Sequence, residues 1–140
     1  MQDYIFFIAP IAGWIIAQFI KIVLDLRKDG IHIKDAIASG GMPSAHTTGI
    51  VALTTVIGRR EGIESAIFGL SLAITVIIIY DAVGVRRATG ENTVAIAELA
   101  KKMRLAGRTH VLMARGHTPN EVFAGIILGI AIGSILIKIL

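Results

Sequence analysis

Apolar residues gather into four runs along the chain, separated by polar connections. Tyr4–Leu24, Ile63–Tyr80 and Val122–Leu140 hold about 21, 18 and 19 residues, each close to the ~20 that carry a helix across a bilayer. The fourth run, Pro43–Ile57, has about 15 residues and carries Ser44, His46 and several threonines. It is short for a span and too polar to face lipid. The pattern therefore predicts a helix that sits among the others or enters the membrane obliquely. In the last connection, Glu91–Leu105 sets Val94, Ala95, Leu99 and Met103 at helical spacing, with Lys101, Lys102 and Arg104 elsewhere. That is an amphipathic helix suited to the membrane surface. The expected fold is an all-α polytopic integral membrane helix bundle, one domain over residues 1–140. It has about four membrane segments, one of them short, plus the amphipathic connecting helix.

Charge refines this picture. With four crossings, the connections 25–42 and 81–118 share one side and hold ten Lys/Arg, against three (Arg59, Arg60, Lys138) on the other. The positive-inside rule makes both cytoplasmic and puts both termini outside a multi-pass cell-membrane protein. The connection Gly58–Gly62 reads as a tight turn carrying Arg59 and Arg60. The opening MQDYIFF lacks the positive region of a secretory signal, so the first run is read as a retained span.

Composition agrees. The chain is 54% hydrophobic and 17% charged, with a mean hydropathy of +0.75, which favours a membrane protein over a soluble core of this size. A net charge of +4 beside such apolar runs points to membrane lipids or a phosphate-bearing substrate, not nucleic acid. The absence of cysteine excludes disulfides and thiolate sites.

The first candidate site is Ser39–Gly49, SGGMPSAHTTG. Gly40 and Gly41 permit a sharp turn, and Pro43 suits the first turn of a helix that also holds Ser44 and His46. A helix start offers N–H groups and a positive dipole end to an anion. The plainer reading is a helix start with a hydrogen-bonded histidine.

The second site is Gly116–Glu121, GHTPNE. Thr118 and Glu121 form a capping box, with Pro119 at the first helical position. Glu121 thus has a structural task available, or it can accept the ring N–H of His117 and fix its tautomer. Gly125, Gly129 and Gly133 then recur at every fourth residue, a stripe for close helix packing.

The third site is Tyr80–Arg87, YDAVGVRR. Arg86 and Arg87 serve either as interfacial anchors or as a bidentate phosphate clamp, and Asp81 is most simply a partner for one of them. Lys21 can snorkel to the interface or supply a further cation at the same depth. Four crossings bring Lys21, His46, Arg86, Arg87 and His117 near one membrane face, where two histidines and several cations would share a shallow pocket. His32 and His110, in connections, receive no role.

PSAH followed by GH-x-x-x-E resembles the paired signatures of the type 2 phosphatidic acid phosphatase superfamily, which also contains the vanadium-dependent haloperoxidases. GGMPSAH, DAVGVRR and GHTPNEVFAGIILGI, with AQFIK at Ala17–Lys21, look like its divergent branch of small bacterial and plant membrane proteins. By resemblance, His117 is the nucleophile that takes the phosphoryl group as a phosphohistidine and Glu121 orients it. His46 is the general acid that protonates the leaving alkoxide and then helps activate water. Ser44 and neighbouring backbone N–H groups bind phosphate oxygens, with Gly41 and Gly116 supporting the two turns. The substrate implied is a lipid phosphate or diphosphate, with no cofactor and no metal.

The chain departs from that pattern at two places. The superfamily's first motif is Lys-x6-Arg-Pro, whereas Lys21 and Arg27 are one residue closer and no proline follows. Val111 occupies the place of the arginine expected ahead of the nucleophile. The missing charge is therefore assigned to Arg86 and Arg87, with Lys21 beside them. Phosphoryl transfer builds charge on oxygens, so cations and helix N–H groups carry most of the stabilisation. His117 must be neutral to attack and His46 protonated to donate. A zinc site of two His and one Glu is disfavoured by the surrounding arginines. The rival function is a proton or ion relay through intramembrane His and Glu, which would need polar residues continuing across the bilayer; the last helix is Gly and aliphatic there. Peroxidation follows from ancestry alone. A homodimer, through the glycine stripe or the amphipathic helix, is the expected assembly.

Overall fold

The computed structural model describes residues 4–26, 41–103 and 117–140. His32, His110, Val111 and Gly116 lie outside the described residues, as does the side chain of Arg86. The described secondary structure is wholly α-helical: α1 Ile5–Leu26, α2 Ala45–Arg60, α3 Ala66–Val83, α4 Val85–Lys102 and α5 Pro119–Ile139. Three stretches, Ile5–Leu24, Ala66–Lys102 and Pro119–Ile139, are long and apolar enough to cross a membrane. Large apolar side chains such as Phe7, Trp14, Ile77 and Phe123 cover their outer faces, as a lipid-facing surface requires.

The short polar run forms the centre of the bundle. α2 packs against α1, α3 and α5 and buries Thr47, Thr48, Val51, Ala52, Thr54 and Val56. Small residues let its backbone approach its neighbours. A Cβ on Gly49 would lie 2.9 Å from the carbonyl oxygen of Pro10, and one on Gly13 would lie 3.0 Å from Gly49 Cα. Ile5 and Ala9 cluster with Ala52 and Val56 while Lys21 lies against Gly41, so α1 runs antiparallel to α2.

The glycine stripe of α5 meets the other side of α2. A Cβ on Gly125, Gly129 or Gly133 would fall 2.9, 2.7 or 2.7 Å from the carbonyl oxygens of Ser44, Thr48 and Ala52 respectively. Both series advance by four residues, so α2 and α5 run parallel, backbone against backbone. Ile5, Ala9, Ala52, Val56 and Ile132 form the apolar core at the end far from the α2 start.

Three boundaries differ from the sequence expectation. Pro43 is not in the first turn of α2: Ser44 is the N-cap, in extended conformation, and the helix begins at Ala45. Arg59 and Arg60 close the last turn of α2 and are not in the connecting turn; that turn starts beyond them, where Gly62 takes a positive φ of 88°. Finally, α3 starts at Ala66, because the Ser65 hydroxyl accepts from the Phe68 N–H at 3.2 Å, and it continues to Val83.

The amphipathic helix also begins earlier than Glu91. Only Gly84 separates α3 from α4, so the stretch around Arg86 and Arg87 is helix and not loop. Val94, Ile96 and Leu99 are exposed on α4, as is Met103 at its C-cap, and α4 packs on no helix but α3 among the described elements.

Candidate functional site

One end of the bundle collects the polar chemistry. Gly58 lies against Phe68, Thr54 against Thr75 and Ser44 shares a pocket with Ala82, so α3 runs antiparallel to α2, and the end of α1, the start of α2, the end of α3 and the start of α5 meet there. The backbone N–H of Ser44 donates to the carbonyl of Glu121 at 3.1 Å, which ties the two helix starts together. A pocket of about 190 Å³ opens between them, lined by Ser44, His46, Ile78, Asp81, Ala82 and His117.

Glu121 performs both tasks that the sequence left as alternatives. The Thr118 side chain accepts from the Glu121 N–H while the Glu121 carboxylate accepts from the Thr118 N–H at 3.0 Å, a complete capping box. The same oxygen, Oε2, lies 3.3 Å from His117 Nδ1. A carboxylate pinned by a backbone donor is a fixed acceptor, so it sets the ring orientation as well. With Nδ1 donating to it, the lone pair of His117 resides on Nε2. His117 is buried and its ring lines the pocket.

At the start of α2, Ser44 is fully buried. Its side chain does not cap α2 but accepts from the Thr47 hydroxyl at 3.0 Å, while Thr48 Oγ1 donates to the Ser44 carbonyl at 2.8 Å. His46, in the first turn, is exposed and lines the pocket. The structure thus brings His46, His117, Ser44 and Asp81 into one cavity.

The cations are placed differently. Lys21 is buried, at 6% exposure. Its stem passes under Gly41, where an added Cβ would come within 2.8 Å of Lys21 Cε and where φ is 102°. Only glycine enters that backbone region without strain. Arg87 is exposed and bonds Glu91 one turn along its own helix at 3.0 Å, and it is not among the pocket-lining residues.

Ile78 and Ala82 were not singled out in the sequence, although they flank Asp81 on one helical face. A second omission lies deeper. Thr54 Oγ1 and Thr75 Oγ1 are 2.8 Å apart across α2 and α3, and Thr75 also donates to the Ser71 carbonyl at 2.9 Å. Buried polar groups therefore do continue below the pocket, but on α2 and α3. They are hydroxyls bonded to each other and to helix carbonyls, and offer no ionisable group for a relay.

Comparison with known proteins agrees with the motif pattern. The sequence profile described as the divergent PAP2 family matches residues 2–132. The chain is similar to the uncharacterized membrane protein YuiD of Bacillus subtilis (strain 168), 30% identical over 146 residues that cover 92% of this chain and 91% of the relative. No solved structure matches.

Proposed function

We propose that this chain, which belongs to the divergent PAP2 family, is a membrane phosphatase that hydrolyses a lipid phosphate or diphosphate through a phosphohistidine. The observation that carries this reading is the pair of imidazoles on one pocket, one of them held through Nδ1 by a capped carboxylate. The reading assigns the other ring nitrogen of His117, Nε2, to the chemistry.

In the first step Nε2 of His117 attacks phosphorus. The N–P bond forms as the P–O bond to the lipid breaks, and His46 gives its proton to the departing alkoxide, which leaves as an alcohol. Neutral His46 then takes a proton from water. The resulting hydroxide attacks phosphorus, the N–P bond breaks and inorganic phosphate leaves. Glu121 stabilises the cationic imidazole ring that exists while phosphorus is attached. Ser44 and the first-turn amides of α2 receive phosphate oxygens. Lys21, Arg86 and Arg87 supply positive charge, Arg87 by exchanging Glu91 for the headgroup at the mouth. The excess of Lys/Arg in the connections on this side supports assigning it to the cytoplasmic face of the cell membrane.

Phosphate release from a panel of lipid phosphates by purified protein tests the reading. Release sensitive to vanadate, lost in His117→Ala and in His46→Ala while both remain folded, is the expected result. An acid-labile phosphoenzyme should form in His46→Ala given a substrate with a good leaving group. Absence of release from every lipid by folded protein, with no vanadate binding, overturns it.

A further inference from the structure

We propose that Asp81 is the positioning carboxylate of His46, as Glu121 is of His117, an assignment that rests on the phosphatase reading of the pocket. The sequence pairs Asp81 most simply with a following arginine. Yet Asp81 lines the cavity together with His46, while Arg87 is bonded to Glu91 on the exposed face of α4.

A carboxylate on the wall of a phosphate pocket is a liability, because two anions a few ångströms apart repel strongly away from bulk water. It is tolerable where a cation in the same cavity neutralises it. Among the lining residues, the two imidazoles are the groups able to carry positive charge. His117 has Nδ1 committed to Glu121 and needs its other nitrogen for phosphorus. His46, in the first turn of α2, lines the same cavity wall as Asp81 and can share a proton with it. Among the described side chains of the other helices packed on α2, Lys21 of α1 and His117 and Glu121 at the start of α5 are ionisable groups at this end, and Asp81 is the carboxylate on the cavity wall.

The pocket then contains two carboxylate–imidazole pairs with opposite duties. One keeps a nucleophile aimed at phosphorus. The other keeps a proton donor aimed at the leaving oxygen. Asp81 takes no proton and touches no substrate atom; it fixes which ring nitrogen of His46 carries the proton that is given away. A general acid contributes about 10²- to 10⁴-fold when it is correctly placed, and only for leaving groups that need the proton.

That dependence separates the assignment from a merely structural role. Asp81→Asn should lower kcat on an alkyl lipid phosphate by about 10²-fold with KM changed less than about threefold. An aryl phosphate, whose phenolate leaves without help, should lose less than about fivefold. Asp81→Glu should restore most of the alkyl activity. Equal losses on both substrates, or a loss confined to KM, overturn the assignment. A readout independent of turnover is the ¹⁵N imidazole spectrum, simplified by a total of four histidines. His46 should show a single tautomer in the parent protein and an averaged pair in Asp81→Asn, with His117 unchanged; identical His46 signals in both overturn it. Should the parent protein cleave neither substrate, the phosphatase reading fails and the spectrum alone decides whether Asp81 holds His46.

Discussion

The N–H of Ser44 reaches the carbonyl of Glu121 at 3.1 Å. One backbone bond thereby joins the residue two before His46 to the residue four after His117. The two candidate histidines are consequently fixed to each other through main chain, which has far less freedom than side chains packed across a groove. Changes that loosen either helix start should be felt at both rings.

Glu121 separates capping from chemistry. Gln at the same place can still close a capping box, so Glu121→Gln should alter stability by no more than about 0.5 kcal/mol. It leaves His117 without a carboxylate, and phosphate release should fall about 10²-fold. Thr118→Ala should do the reverse, costing about 1 kcal/mol of stability with a smaller loss of turnover. Thermal unfolding in detergent beside phosphate release checks both; equal behaviour of the two variants would count against the double duty of Glu121.

Gly129→Ala should be harmful and Gly69→Ala harmless. The first places a methyl 2.7 Å from the Thr48 carbonyl oxygen and 2.8 Å from Val51 Cβ, whereas the second has nothing within 4 Å. Backbone cannot step aside as a flexible side chain can, so an overpacking cost of about 1–3 kcal/mol is expected at Gly129. At Gly69 the better helix propensity of alanine should leave stability unchanged or raise it by up to about 1 kcal/mol. Unfolding midpoints of the two variants make the comparison.

Lys21→Met keeps the buried stem and removes the charge. If that charge serves phosphate, vanadate inhibition should weaken by about tenfold or more, the worth of one charge-assisted hydrogen bond. Gly41→Ala should weaken it too, since the new methyl meets Lys21 Cε at 2.8 Å and sits at a φ of 102°, a conformation costing about 1–2 kcal/mol for an L-residue. Inhibition titrations on folded protein decide the matter; unchanged vanadate affinity in both variants would remove Lys21 from the site.

Thr54→Val should have a small effect. The Thr54–Thr75 hydroxyl pair, 2.8 Å apart, joins α2 to α3 within the apolar bundle. Interhelical hydrogen bonds of this kind average about 0.6 kcal/mol. A loss near that size, with turnover unaffected, is the expected outcome of paired unfolding and activity measurements.

The sequence made the helices legible because ~20-residue apolar runs have few other solutions in a bilayer. It also revealed that the short run around Ser44 and His46 belongs among the other helices, since its hydroxyls could not face lipid. The Thr118–Glu121 box was readable because capping is local. Boundaries set by single residues were less so: Ser44 displaced Pro43 from the helix, and Gly84 alone divided α3 from α4. The surroundings of Asp81 were not readable at all. Of the two arginines its charge suggests, Arg87 bonds Glu91 on α4 and the side chain of Arg86 lies outside the described residues, while the return of α3 along α2 brings Asp81 to the pocket at the α2 start. The Thr54–Thr75 bridge needed the same tertiary knowledge, although Ser71 and Thr75 already shared a helical face.

The glycine stripe works as a dovetail. Because α2 and α5 touch main chain to main chain along three successive turns, sliding or tilting one on the other would drive backbone into backbone. The third wall, carrying Ile78, Asp81 and Ala82, is attached more lightly: α3 meets α5 only slightly and is linked to α2 through hydroxyls. If the pocket receives the proposed substrates, accommodation of different guests is expected on that jaw, with size selection retuned on α3 while the histidine-bearing pair stays still.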